Sequence, residues 1–272
     1  MIKENGQRMS VVLTIAGFDP SAGAGVLADI KTIAAFHCYG AAVVTSVTHQ
    51  NTIGVFGADH LSASSVTSQL RALFDDFQIA AVKTGMLPTS EIISAVAAML
   101  SEKPVPRFVL DPVIRSTSGY DLIDKKARRA LVGQLFPLAS LVTPNRIEAE
   151  TVTGIRIDSA ETTVKAARAL RDLGARAVLI KGGDAQGEAA VDVLVDASGE
   201  NFYSAERIHS RHTHGTGCAL SAALACLLAL DYPLKEAVPI AKRYIAEAIR
   251  SAPGLGHGHG PMNHFPTDFR IE

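Results

Sequence analysis

The chain has 272 residues, 47% of them hydrophobic, with 26 Lys and Arg against 27 Asp and Glu. That apolar content excludes a disordered chain, and a formal net charge of -1 leaves no basic excess to draw nucleic acid or an anionic membrane. Three cysteines, Cys38, Cys218 and Cys226, without CxxC spacing, argue against a disulfide framework or a zinc ribbon. No segment reads as a signal peptide, and the longest apolar run, Ala222 to Leu230, is too short to span a bilayer. A cytoplasmic protein without nucleic-acid or membrane partners is expected.

Residues 1–10 read as a flexible polar tail. Val11 to Ala16 is a β-branched apolar run ending at Gly17, a strand, and Gly17 to Gly25 is a glycine-rich loop. Val26 to His37 has helical spacing and Ala41 to Val47 reads as a strand. Leu61 to Phe77 reads as a helix with serine cap chemistry at its start. Strands are then expected at Ile79–Lys83, Phe108–Leu110, Leu141–Thr143 and Ala177–Ile180. Helices are expected between them at Ser90–Leu100, Lys125–Leu135 and Thr162–Leu173, the last closed by Gly174. Ala190–Asp196 and Asn201–Ile208 suggest a hairpin, followed by helices Thr216–Leu230 and Leu234–Ser251.

Short apolar strands alternating with helices predict a mostly parallel sheet covered on both faces: a three-layer α/β/α sandwich, one domain over residues 11–272. Such sheets bind ligands beyond the carboxyl ends of their strands. Polar residues collect at six of those ends: Gly17-Phe18-Asp19, His49-Gln50-Asn51, Lys83-Thr84-Gly85, Asp111-Pro112, Thr143-Pro144-Asn145 and Lys181-Gly182-Gly183.

Gly23-Ala24-Gly25-Val26-Leu27-Ala28 fits G-x-G-x-x-G/A, but the glycines do not follow the strand at once and no acidic residue waits to hold a ribose. A tight loop is the better reading. His212, His214, His257 and His259 lack partners in sequence that would complete a metal set, so they read as exposed or loop-ordering histidines. Gly215-Thr216-Gly217 before an apolar helix is different. Its unpaired N–H groups and the helix dipole make an anion site. The same field lowers a thiol pKa, so Cys218 reads as part thiolate, able to take a proton from a hydroxyl. On the residues alone, a small side chain packing into the core is an equal reading of Cys218.

The motifs "TIAGFDPSAGAGVLADIKT", "HQNTIGV", "VKTGML", "VLDPV", "TSG", "LVTPNRIEAE", "IKGG", "THGTGCALSAALA" and "GHGHGPMNHF" follow one another from Val11 to Phe265. In that order they resemble the hydroxymethylpyrimidine and phosphomethylpyrimidine kinases of thiamine biosynthesis, in the ribokinase superfamily. The resemblance implies a ribokinase-like fold, a homodimer, and phosphorylation by ATP and Mg²⁺ of 4-amino-5-hydroxymethyl-2-methylpyrimidine, then of its monophosphate.

It also implies residue roles. Most ribokinase relatives carry an Asp general base in G-A-G-D; Gly215-Thr216-Gly217-Cys218 puts Cys218 there. Gln50 matches the glutamine that reads the substrate, and an amide suits an aminopyrimidine edge. Gly17, Asp29, Met86 and Val113 would border the ring, with a helix-surface carboxylate the other reading of Asp29. Lys181, Asp111 and Asn145 would face the nucleotide, and Glu148 of T-P-N-x-x-E would serve Mg²⁺. Phe18, Ala22, His49 and Ile114-Arg115 depart from the family's usual residues. Phe18 and His49 would narrow the pocket or stack on the ring, and Arg115 would meet a substrate phosphate or solvent. The rival readings are a pyridoxine or pyridoxal kinase of the same superfamily and a non-catalytic pyrimidine-binding protein.

Overall fold

The apolar run after the tail forms the central strand β1 (Val11–Phe18). Its alternation decides the layering. Leu13 and Ile15 face one apolar cluster and Val12 the other, as a period of two requires. These relations come from a computed structural model that describes residues 9–114, 122–183 and 189–271. Arg115 and the T-S-G motif lie outside the described residues, as does the expected tail except for Met9 and Ser10. Ser10 is already tied to the sheet, its carbonyl accepting the Tyr39 N–H at 2.9 Å.

The other strands are β2 (Tyr39–Gln50), β3 (Val55–His60), β4 (Ile79–Thr84), β5 (Phe108–Leu110), β6 (Leu141–Val142), β7 (Val178–Ile180), β8 (Ala189–Asp196) and β9 (Gly199–Glu206). They form one nine-stranded sheet in the order β3-β2-β1-β4-β5-β6-β7-β8-β9. Pairing is parallel from β2 to β7, and β3, β8 and β9 add antiparallel edges. The helices are α1 (Gly25–Ala35), α2 (Ala63–Asp76), α3 (Ser90–Glu102), α4 (Lys125–Ala130), α5 (Arg146–Thr153), α6 (Ala160–Asp172), α7 (Thr216–Ala229) and α8 (Leu234–Arg250). Buried residues of α2, α3, α4 and α6 share the cluster with Leu13, and those of α1, α7 and α8 the cluster with Val12. The three-layer α/β/α arrangement is the expected one. Helix α7 is buried nearly all round, which its run of Ala, Leu and Cys permits.

Caps form where the sequence placed them. Ser62 accepts the Ser65 N–H at 3.1 Å to start α2, and Gly174 follows α6 at φ 113°. Three elements differ from expectation. Strand β3 pairs with β2 although its sequence, with Gly57 and Ala58, has little strand propensity; the neighbouring strand supplies the order. Helix α5 starts at a capping box, with Asn145 and Glu148 each bonding the other's backbone N–H. The helix expected to Leu135 changes to a π-helical turn at Leu131–Leu135. Among the described residues no helix is long and apolar enough to cross a membrane.

Candidate active site

Strand order reverses beside β1, which has β2 on one flank and β4 on the other. A cavity of about 1270 Å³ opens at that carboxyl edge, and Gly17, Gln50, Gly85, Asp111, Asn145 and Lys181 bring all six strand ends to it. Its volume exceeds the ~300–1,000 Å³ usual for one small ligand, so it has room for two.

Gly215, Thr216, Gly217 and Cys218 line the cavity at the start of α7. Gly215 stands at φ 78°, and a Cβ on it would lie 1.8 Å from the Gly23 carbonyl oxygen. Only glycine lets these two loops close on each other. The loop spends some of its donors internally: Thr216 N–H bonds Thr213 O at 3.3 Å and Ala219 N–H bonds Gly215 O at 2.9 Å. The N–H groups of Gly217 and Cys218 have no backbone acceptor among the described residues, so two donors remain that could hold an anion. A Cβ on Gly217 would stand 3.3 Å from Lys181 Nζ, which places the ammonium beside those donors.

Lys181 Nζ donates to Asp111 Oδ1 at 2.8 Å. Asp111 also accepts from Thr143 Oγ1 at 3.4 Å and, through Oδ2, from Ser221 Oγ at 3.3 Å. Burial alone would lower the Lys181 pKa, but Asp111 and Glu148 hold it above its ordinary value. Glu148 is buried with Oε2 on the Asn145 N–H at 2.8 Å, and burial pushes its carboxyl up to about 7 against the pull of Lys181. A buried carboxylate short of positive charge suits a divalent cation. The described residues hold no group of three or more His, Cys, Asp or Glu for a metal, whereas Mg²⁺ commonly takes one or two carboxylates with substrate phosphates. Glu148 and Asp111 fit that mode.

Cys218 reaches the cavity, yet its neighbours enclose it closely enough that burial pushes the thiol up to about 11. Lys83 and the Gly25 N–H pull the other way and lose. The expected partial thiolate is therefore corrected in direction: burial, with Asp111 and Asp29 nearby, raises the thiol instead of lowering it.

Gly17, Phe18, Gln50, Met86 and Val113 also line the cavity. Met86 Sδ would lie 3.4 Å from a Cβ on Gly17, so the two form one wall. Asp29 is corrected. It is neither on the helix surface nor against a ring. It lies 0% exposed beneath the site, accepting from Thr14 Oγ1 at 2.6 Å and Lys83 Nζ at 2.8 Å. Lys83, whose strand end pointed to the site, is equally buried in that pair. His49 is corrected as well: strand alternation turns it to the surface, where Nε2 meets Asp59 Oδ2 at 3.1 Å with both side chains over half exposed. Ala22, where the family usually has glycine, sits at φ 57°. Ala22→Gly is expected to raise stability by about 1 kcal/mol, read as a higher melting temperature.

Sequence reading missed Asp19 and His214 as a pair. Asp19 is 3% exposed and its Oδ2 lies 2.8 Å from His214 Nε2. Nothing local links residues so distant; only the fold does. His214 is therefore no exposed loop histidine but part of the cavity wall.

The family model for phosphomethylpyrimidine kinase matches residues 19–263. The chain is 48% identical over 253 residues to the thiamine biosynthesis bifunctional protein of Geobacter sulfurreducens, a match covering 93% of this chain and 52% of that protein. It is 44% identical to the hydroxymethylpyrimidine/phosphomethylpyrimidine kinase of Haemophilus influenzae, covering 93% of this chain and 96% of that one. Among solved structures, an ADP complex of Bacillus subtilis pyridoxal kinase superposes with a TM-score of 0.88 at 35% identity, covering 95% of this chain and 98% of the other. The ribokinase-like fold is thus shared with a nucleotide-bound kinase, and both matched relatives are closer in sequence than it is. With its site glycines, Lys181 and Glu148 in one cavity and its length matched almost throughout, the chain belongs to the phosphomethylpyrimidine kinase family.

Proposed function

We propose that the protein transfers the γ-phosphoryl group of ATP to the hydroxymethyl group of 4-amino-5-hydroxymethyl-2-methylpyrimidine, and then to the resulting monophosphate. The observation that carries this reading is one cavity joining a heterocycle wall, Gly17, Gln50, Met86 and Val113, to an anion loop, Gly215 to Cys218. ATP would lie along the later strand ends by Asp111, Asn145 and Lys181, its γ-phosphate on the N–H groups of Gly217 and Cys218. When bound, Mg²⁺ neutralises phosphate charge; Glu148 would hold it, with Asp111 and Asn145 beside it, directly or through water. The substrate oxygen bonds phosphorus as the bond to the β-phosphate oxygen breaks. ADP leaves with that electron pair, and the hydroxyl proton passes to Cys218 in its minor thiolate form. Positioning and charge stabilisation supply most of the rate, as phosphoryl transfer demands.

The same reading includes a cytoplasmic location, supported by three cysteines that form no disulfide, and a homodimer, supported by exposed Phe56 and Val47 on the β3 and β2 edge. Mass spectrometry after incubation with Mg²⁺–ATP and the pyrimidine alcohol tests the function. Mono- and then diphosphate are expected. Phosphorylation of pyridoxine but not the pyrimidine would favour the rival kinase, and no ATP consumption with either would leave a binding protein.

A further inference from the structure

We propose that Asp19 and His214 are a positioning pair that fixes which end of the Gln50 amide faces the heterocycle, an inference that rests on reading this wall as the pyrimidine pocket. Asp19 is surrounded by donors. Its Oδ1 accepts from the Ser21 N–H at 2.8 Å and the Ser21 hydroxyl at 2.7 Å, and its Oδ2 from the Ala24 N–H at 2.9 Å. Burial alone would raise this carboxyl, but the bonds from His214 and Ser21 outweigh it and hold the pKa below its ordinary value. An ionised carboxylate only accepts, so His214 Nε2, 2.8 Å from Oδ2, must carry a proton.

The Gln50 amide meets that same nitrogen. Its Nε2 is placed 3.2 Å from His214 Nε2, which would set two donors against each other. The oxygen and nitrogen of a side-chain amide are assigned from their partners. With the amide exchanged, Oε1 shares the single Nε2–H with Asp19 Oδ2 in a three-centre bond, the shorter arm going to Asp19, and the –NH₂ group turns free. No other protein group among the described residues takes the Gln50 amide, and Gln50 lines the cavity. The amide is then presented as a donor, the complement of an unprotonated ring nitrogen.

The ring that sets this orientation cannot swing away. A Cβ on Gly23 would lie 2.2 Å from His214 Cδ2, so the loop backbone closes over the imidazole. The His214 N–H bonds the Gly260 carbonyl at 3.2 Å, and the next residue is Gly215 of the anion loop. One residue therefore ties the reading of the ring to the place where phosphate is held.

Long-range ¹H–¹⁵N correlation of the imidazoles in the wild-type full chain tests the first step, the His214 signal being assigned by its loss in His214→Phe. A protonated Nε2 is expected; a neutral ring with a bare Nε2 overturns the proposal. Kinetics test the second. Asp19→Asn should raise KM for the pyrimidine alcohol about tenfold, the scale of one lost hydrogen bond to a ligand, with kcat and KM for ATP little changed. In a Gln50→Ala background the same substitution should add nothing. An equal rise in that background would mean that Asp19 acts by shaping the loop and would overturn the proposal. A wild-type protein that fails to phosphorylate the pyrimidine sinks the substrate reading, while the imidazole spectrum still decides the pair.

Discussion

Cys218→Ala is expected to lower kcat by about 10²- to 10⁴-fold, the usual worth of a positioned acid–base group, while KM for the pyrimidine alcohol and for ATP stays within about twofold. The alanine leaves the N–H donors at the start of α7 in place, and the residue contributes none of the heterocycle wall that Gln50, Met86 and Val113 form. Unchanged turnover would remove Cys218 from the chemistry. The pH profile separates proton removal from simple alignment. With the thiol pushed up to about 11, a required thiolate makes kcat/KM climb about tenfold per pH unit well above neutrality. The telling window is therefore about pH 8 to 9.5: a continued climb there is expected, and a plateau would leave Cys218 only holding the hydroxyl in line.

Lys83→Met is expected to cost about 3–5 kcal/mol of folding stability, read as a lower urea midpoint, because it strands Asp29 without a countercharge. Both side chains are 0% exposed at 2.8 Å, and burial raises the Asp29 carboxyl even with Lys83 against it. Asp29 Oδ1 has no partner, so little else would compensate. The double replacement Asp29→Leu with Lys83→Met should recover most of the loss, less the Thr14 hydroxyl left unbonded beside it. A double variant no more stable than Lys83→Met would mean that the pair is held by shape rather than charge. Against a typical total of about 5–15 kcal/mol, the single substitution removes a large fraction of the protein's stability.

Much of this was legible in the sequence because the physics was local. The G-T-G turn before an all-apolar helix announced an anion site with a thiol behind it, and the strand ends announced the face on which it opens. The N-x-x-E of α5 carried two messages, a capping box and a phosphate-side carboxylate, and only the second was read. What stayed hidden was set by burial and distance. Asp29 looked like a first-loop ligand because spacing does not show that Lys83 lies behind it. Cys218 looked acidic because the helix field is written in the sequence and desolvation is not. His214 looked idle because its partner lies near the other end of the chain.

That last separation governs when the site can come into being. The bond between His214 and Asp19 closes a span of 195 positions, and Gly215 seats on Gly23 in the same closure. Closing so long a loop costs only slightly more entropy than closing a shorter one, but contacts this distant slow folding. During synthesis the early strands can pair while the pocket still lacks the wall that His214 and Gly215 supply. The complete pocket therefore forms only when α7 docks on the loop that follows the first strand.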